Sequence, residues 1–226
     1  MPAKASPGFG EPPALRPRVV IEGVRPEVDE GRFPAKRAVG ETAVVEADIY
    51  CDGHDEIAAD LLYRKSGDRH WTAVPLEPLE NDHWRAAFLC GQVATYEFTI
   101  EAWPDYFATW QAGLRKKVAA GQDVALDILA GAQIIEQALA RVPAKDADWF
   151  RNVIGRLKGR TAARGRAEVA LDPVLGARMR ALADRDLATR YSRDLRIAVD
   201  PHKAAFSSWY EMFPRSASPD PARHGT

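Results

Sequence analysis

The sequence predicts an α+β protein: a β-sandwich interrupted by an inserted α-helical bundle. Three observations predict it. Apolar residues alternate with a period of two over most of Arg18 to Trp110. They take helical spacing from Gln111 to Tyr191. The period of two then returns in "RDLRIAVD", where Leu195, Ile197 and Val199 alternate with Arg196 and Ala198. A lone strand after a helical bundle needs strand partners for its backbone groups. The expectation is that it joins the sheet of Tyr96, Phe98 and Ile100, with the helices looped out between. The layout is then a flexible leader over 1–17, a sandwich over 18–110 plus 193–201, a helical insertion over 111–192, and a linker over 202–226.

The strands come in order. "RVVIEGV" opens the sandwich. In "TAVVEADIYCDG", Val45, Ala47 and Ile49 share one face, and Val44 on the other suggests a strand near an edge. "IAADLLYRK", "HWTAVPL" and "HWRAAFL" follow. "ATYEFTIEAW" alternates most cleanly, Tyr96, Phe98, Ile100 and Ala102 against Glu97, Thr99 and Glu101. "DGHDE", "KSGDR", "LENDH" and "AWPDY" punctuate these runs as turns. Strand signals at such spacing favour a sandwich.

The helices follow. "AGLRKKV" reads as a short one. "DVALDILAGAQIIEQALARV" begins behind a capping Asp123, stripes Val124, Ile128, Ile135 and Leu139, and stops at Pro143. "DADWFRNVIGRLKG" places Trp149, Phe150, Val153, Ile154 and Leu157 on one face, capped by Asp146 or Asp148 and ended by Gly159. "DPVLGARMRALADRDLATRY" starts at Pro173 and lines up Leu175, Met179 and Leu182.

Composition excludes several classes of function. Lys plus Arg total 31 and Asp plus Glu 32, so the formal charge is -1 and no global field draws nucleic acid or an anionic membrane. No apolar run reaches the roughly 18 residues of a membrane span. The first 17 residues lack the apolar centre of a signal peptide. Cys51 and Cys90 lie on strand-like stretches and read as buried free thiols, and the cytoplasm is the expected compartment.

The five histidines show no ligand spacing, and HExxH, CxxC, GxSxG, the Walker loop and GxGxxG do not occur. No catalytic, metal or cofactor-binding residue is therefore assigned. "DGHDE" reads as a solvated turn. The segment Arg151 to Arg196 carries 12 Lys plus Arg against 5 Asp plus Glu, with Arg156, Lys158, Arg160, Arg164 and Arg166 around a loop. It reads as a solvated helix face, or else as a patch for a phosphorylated sugar or an acidic partner. No aromatics interleave with these arginines as nucleic-acid binding would favour.

Two aromatic groups are candidate sites. Of the clustered Trp84, Trp103 and Trp110, Trp103 alone has outward parity, so it is the position where a glucan could stack. Core or junction packing is the alternative. "FSSWYEMFPRS" crowds Phe206, Trp209, Tyr210, Met212 and Phe213 together after the closing strand. So much apolar surface predicts docking against further chain or another subunit.

"RVVIEGVRPEVDEGRFPAKRAVGE", "EADIYCDGHD", "YEFTIEAWPDYFATWQAGLRKKVAAGQDV" and "YSRDLRIAVDPHKAAFSSWYEMFPRS" resemble the N-terminal region of the bacterial α-1,4-glucan:maltose-1-phosphate maltosyltransferases, of glycoside hydrolase family 13. The resemblance covers Arg18 to Ser216. It implies an immunoglobulin-like N domain interrupted by a helical S domain, ahead of a catalytic (β/α)8 barrel that would hold the aspartate nucleophile and glutamate acid/base. It also implies a homodimer, and a whole enzyme acting on maltose 1-phosphate and α-glucan. Phe206, Trp209, Tyr210 and Phe213 would then dock on the barrel, and this chain by itself would be inactive. A glucan-binding module or a free-standing interaction protein are the alternative readings.

Overall fold

The computed structural model describes residues 18–186, 188–206, 209–214 and 217–225. The leader expected over 1–17 lies outside them. Two antiparallel-dominated sheets share one apolar core. The first contains β1 (Val19–Arg25), β3 (Thr42–Cys51), β6 (Glu77–Pro78) and β7 (His83–Leu89), in the order β1-β3-β7-β6. The second contains β2 (Ala35–Ala38), β4 (Ile57–Lys65), β5 (Thr72–Pro75), β8 (Ala94–Pro104) and β10 (Leu195–Asp200), in the order β2-β10-β8-β4-β5. A two-residue strand, β9 (Thr189–Arg190), also pairs with β8.

Alternation explains the packing. On β3, Ala43, Val45, Ala47 and Ile49 are buried, and on β7, Trp84, Ala86 and Phe88. They face Leu61, Tyr96, Phe98 and Ile100 of the other sheet within one cluster. Tyr63 of β4 stacks on Phe88 of β7 with ring centroids 4.2 Å apart, which ties the layers together. Trp84 packs in this core and donates its Nε1–H to the Ile49 carbonyl at 3.0 Å. β3 lies between β1 and β7, so the half-buried Val44 marks an interior strand and not the edge expected from its parity.

β10 closes the second sheet. Leu195 opposes Phe98, Ile197 opposes Tyr96 and Val199 opposes Ala94 in antiparallel register. β4 pairs with β8 along its whole length, so β9 and β10 share the remaining edge of β8. The chain between is helical, as the returning period of two required.

Five α-helices lie among the described residues of that stretch: α1 (Tyr106–Ala119), α2 (Ala125–Ala138), α3 (Ala147–Lys158), α4 (Ala163–Ala170) and α5 (Pro173–Ala181). Helix begins at Tyr106, five residues before the periodicity suggested, because the Asp105 carboxylate accepts the Ala108 N–H at 2.8 Å and starts the first turn. Trp110 is therefore inside α1. The last helix ends at Ala181, well short of Tyr191. The helices bury a second cluster around Leu114, Ile128, Ile135, Phe150, Leu157 and Leu175. On α2, Ile128, Gly131, Ala132 and Ile135 hold the contact face, whereas Leu129 is 38% exposed. Gly131 lets Trp110 cross α2: a Cβ there would sit 2.0 Å from the indole Cζ2.

Candidate interaction sites

The junction between sheet and insertion is a cluster of ions over an indole. Asp60 and Glu101 are directly opposed on β4 and β8, and Ala58 opposes Trp103 two pairs further along. Side chains two apart on a strand share a face, so Asp60, Glu101 and Trp103 all lie on the outer face of the second sheet. Arg180 of α5 donates to Asp60 Oδ1 at 2.7 Å and to the Ala59 carbonyl at 2.9 Å. Arg185, just past α5, donates to Asp60 Oδ2 at 2.9 Å and to Glu101 at 2.6 Å. Its guanidinium lies 3.8 Å from the Trp103 ring centroid, a cation–π contact, with that of Arg180 at 5.3 Å. Burial tends to lower the Arg185 pKa, but the Glu101 and Asp60 carboxylates outweigh it and hold the group above its ordinary value.

This arrangement corrects the expectation that Trp103 offers its ring to a glucan. Trp103 has outward parity, yet it is 0% exposed. The outer face of β8 is open only where no other element covers it, and Arg180, Arg185 and Tyr191 lie against it. Thr99 on the same face is equally buried and donates to the Tyr191 carbonyl at 3.4 Å. A sugar cannot reach the indole face in this conformation.

The arginine-rich stretch resolves mostly into ion pairs. Arg178 pairs with Asp146, Arg190 with Asp194, and Arg193 with Glu27. Lys158 meets Glu136 at 2.6 Å, and Arg166 donates to the Leu157 carbonyl. The expected loop after Gly159 folds instead into α4, which carries Arg164 and Arg166. Asp146 precedes α3 without a side-chain capping bond, its carboxylate being turned to Arg178.

"DGHDE" does not gather around a metal position. Its Asp52 and Asp55 both accept from Arg18, at 2.7 and 2.8 Å, and hold that guanidinium above its ordinary pKa. Among the described residues no group of three or more His, Cys, Asp or Glu could hold a metal ion, and no helix is long and apolar enough to cross a membrane. Cys90 is fully buried and Cys51 half-buried, and burial raises both thiols above their ordinary pKa.

The segment after β10 is the opposite of Trp103. A short 3-10 turn (His202–Ala205) leads into it. Phe206 is 73% exposed, Trp209 91%, Tyr210 92% and Phe213 71%, with Met212 beside them at 65%. Hydrophobic side chains this exposed over eight positions form an apolar strip well beyond the scattered singletons of an ordinary surface.

These features define a class: a two-sheet unit carrying a helical insertion between consecutive strands of one sheet, clamped by buried ions and ending in an exposed aromatic strip. The sequence profile described as alpha-1,4-glucan:maltose-1-phosphate maltosyltransferase, domain N/S, matches residues 17–201, and the chain belongs to that family. It is similar to the alpha-1,4-glucan:maltose-1-phosphate maltosyltransferase of Chlorobaculum tepidum, with 47% identity over 213 residues covering 93% of this chain and 31% of that protein. The Myxococcus xanthus protein of the same name is 43% identical, over 92% of this chain and 32% of that protein. A Cereibacter sphaeroides protein of that name is 42% identical, with 92% and 35% covered. The chain thus spans about a third of the length of the curated relatives it matches, and corresponds to their N-terminal region.

Proposed function

We propose that this chain is the accessory and dimerisation region of a maltosyltransferase, and that the catalytic barrel belongs to the remaining two-thirds of such a protein. The whole enzyme would move maltosyl units from maltose 1-phosphate to an α-1,4-glucan in α-glucan synthesis. Retention at the transferred carbon requires a covalent glycosyl–carboxylate intermediate and a second carboxyl group as acid/base, on either side of the scissile bond. Both belong to the barrel in this reading. The part played here is support: the sheets and helices form a rigid shoulder, and Phe206, Trp209, Tyr210 and Phe213 dock against the barrel. A homodimer built partly on this region fits the same reading.

The observation that carries the proposal is the exposed aromatic strip directly after the closing strand, in a chain spanning about a third of its relatives. Each large apolar side chain covered there would contribute about 1.5–3 kcal/mol. The strand orders support an immunoglobulin-like assignment. With β1, β3, β4, β6, β7, β8 and β10 lettered A to G in turn, one sheet runs A-B-E-D and the other contains G-F-C. The helices then occupy the F–G connection.

The test compares this chain with the protein extended through the remaining two-thirds. The chain alone is expected to release no phosphate from maltose 1-phosphate and glycogen, whereas the extended protein does. Trp209 emission should shift to the blue on extension as its ring leaves water. Turnover by the chain alone, or unchanged Trp209 exposure in the longer protein, overturns the reading.

A further inference from the structure

The first sheet ends in β1 and β6, and the second in β2 and β5. The outer side of an end strand offers main-chain N–H and C=O groups to any extended chain that comes alongside. Three of these four strands are closed by proline or by covering chain. Just past β5, the Leu76 N–H donates to the Ala59 carbonyl of β4 at 2.8 Å. Main-chain groups of successive residues point to opposite sides of a strand. Pro75 therefore faces the free side, where it has no N–H to offer. Just past β6, the Leu79 N–H donates to the His83 carbonyl at 2.7 Å, which turns Pro78 outward in the same way. Along β1, the Val19 carbonyl accepts the Thr189 hydroxyl at 2.6 Å, and a register shift between Glu22 and Arg25 ends the regular edge.

β2 is closed differently. It pairs in parallel with β10, and the Val39 N–H donates to the Asp200 carbonyl at 2.9 Å. Arg37 and Val39 therefore present their main-chain groups to β10, while Lys36 and Ala38 present theirs to the free side. A Glu41 carboxylate oxygen accepts the Ala38 N–H at 2.8 Å. The Ala38 carbonyl accepts the Glu41 N–H at 3.1 Å, and the Lys36 carbonyl accepts from the Arg37 guanidinium at 2.7 Å. One side chain thus occupies an N–H that an incoming strand would need, and another occupies a carbonyl. Unlike a proline, these contacts depend on rotatable side chains and are lost when those are shortened.

We infer that Glu41, helped by Arg37, seals this last edge against strand addition by a second copy of the chain. The pairing excluded is β2 against β2 of the second copy, which would draw on the Lys36 and Ala38 groups of both. The inference rests on strand geometry and not on the function proposed above. Its consequence is that partners meet this region through side-chain surfaces and not by extending a sheet. An open edge would instead invite aggregation whenever copies are concentrated.

The experiment compares the 226-residue chain with Glu41→Ala, with Glu41→Gln, and with the double variant Glu41→Ala plus Arg37→Ala. NMR follows hydrogen exchange at the Ala38 amide, and analytical ultracentrifugation follows self-association. Glu41 is exposed, so its variants are expected to keep the native circular dichroism spectrum. In dilute Glu41→Ala, the Ala38 amide should exchange at least about tenfold faster, having lost its acceptor. The double variant should self-associate at least about tenfold more tightly than the wild type, with Ala38 protected again as the concentration rises. Glu41→Gln retains a side-chain oxygen that accepts the same N–H, and should stay close to the wild type in both measurements. Unchanged Ala38 exchange in Glu41→Ala overturns the seal. Unchanged association of the double variant, or association without renewed protection of Ala38, overturns the excluded pairing. The aromatic strip is the same in every variant, so only differences from the wild type are read. A failed seal leaves the barrel-docking reading intact, and failed docking leaves the seal standing.

Discussion

Asp60→Ala tests the ionic junction most directly. The carboxylate is 5% exposed and joins two guanidiniums whose side chains are 28% and 36% exposed. Removing one partner of a fully buried ion pair costs about 3–5 kcal/mol, because the remaining charge is left uncompensated. Here the loss is smaller. Both arginines keep some access to water, Arg185 retains Glu101 at 2.6 Å, and Arg180 retains the Ala59 carbonyl at 2.9 Å. A loss of about 2 kcal/mol is expected after that screening. For a chain of this size it corresponds to about 4–8 °C in Tm. The assay is urea and thermal denaturation followed by circular dichroism and tryptophan emission, with Asp60→Ala, Arg185→Ala and the double variant. Residues that share one network couple by about 0.5–3 kcal/mol in such a cycle. Trp103, lying under Arg185, should also shift in emission when Arg185 is removed. A Tm change in Asp60→Ala below about 1 °C, or single effects that add within about 0.3 kcal/mol, would refute the clamp.

Gly131→Ala should destabilise despite the helix propensity gained. The new Cβ meets the Trp110 ring, which is pinned by its Nε1–H bond to the Asp127 carbonyl, so overpacking of about 1–3 kcal/mol exceeds the gain of about 1 kcal/mol; a higher Tm would contradict this. Asp172 caps α5 by accepting the Val174 N–H at 2.8 Å, and Asp172→Ala should lose about 1 kcal/mol in urea melts, against no loss if the cap is idle. Cys90 should react with iodoacetamide at pH 8 at least about tenfold more slowly in the native chain than in urea, because burial holds the thiol neutral. The same raised pKa makes its contribution to stability full below the unfolded value of about 8.5 and lost as pH rises beyond it. Comparable urea midpoint losses between pH 7 and pH 9.5 in wild type and Cys90→Ala would count against that coupling.

How much of the fold could be read from the residues depended on the strength of the local pattern. β4 and β7 have the bounds their alternation implied, and Phe150, Val153, Ile154 and Leu157 form the buried face of α3 that their spacing required. β2 and α4 gave weaker signals. β2 is four residues, "AKRA", held in part by its parallel pairing with β10 some 160 positions later. α4 buries Ala167 and Ala170 and so has no stripe of large apolar residues to announce it. The ionic junction escaped notice because Asp60 and Arg185 lie 125 positions apart and share no motif with Glu101 and Arg180.

Period and punctuation alone determined that the helices interrupt one sheet, because a strand such as Leu195–Asp200 cannot satisfy its backbone without neighbours. They also marked the aromatic run after it as surface in need of a cover. Only the tertiary structure decided the fate of Trp103. Alternation assigns a side chain to a face of its strand but does not say what lies over that face, and the arginines that cover this one arrive from 77 and 82 residues further along the chain.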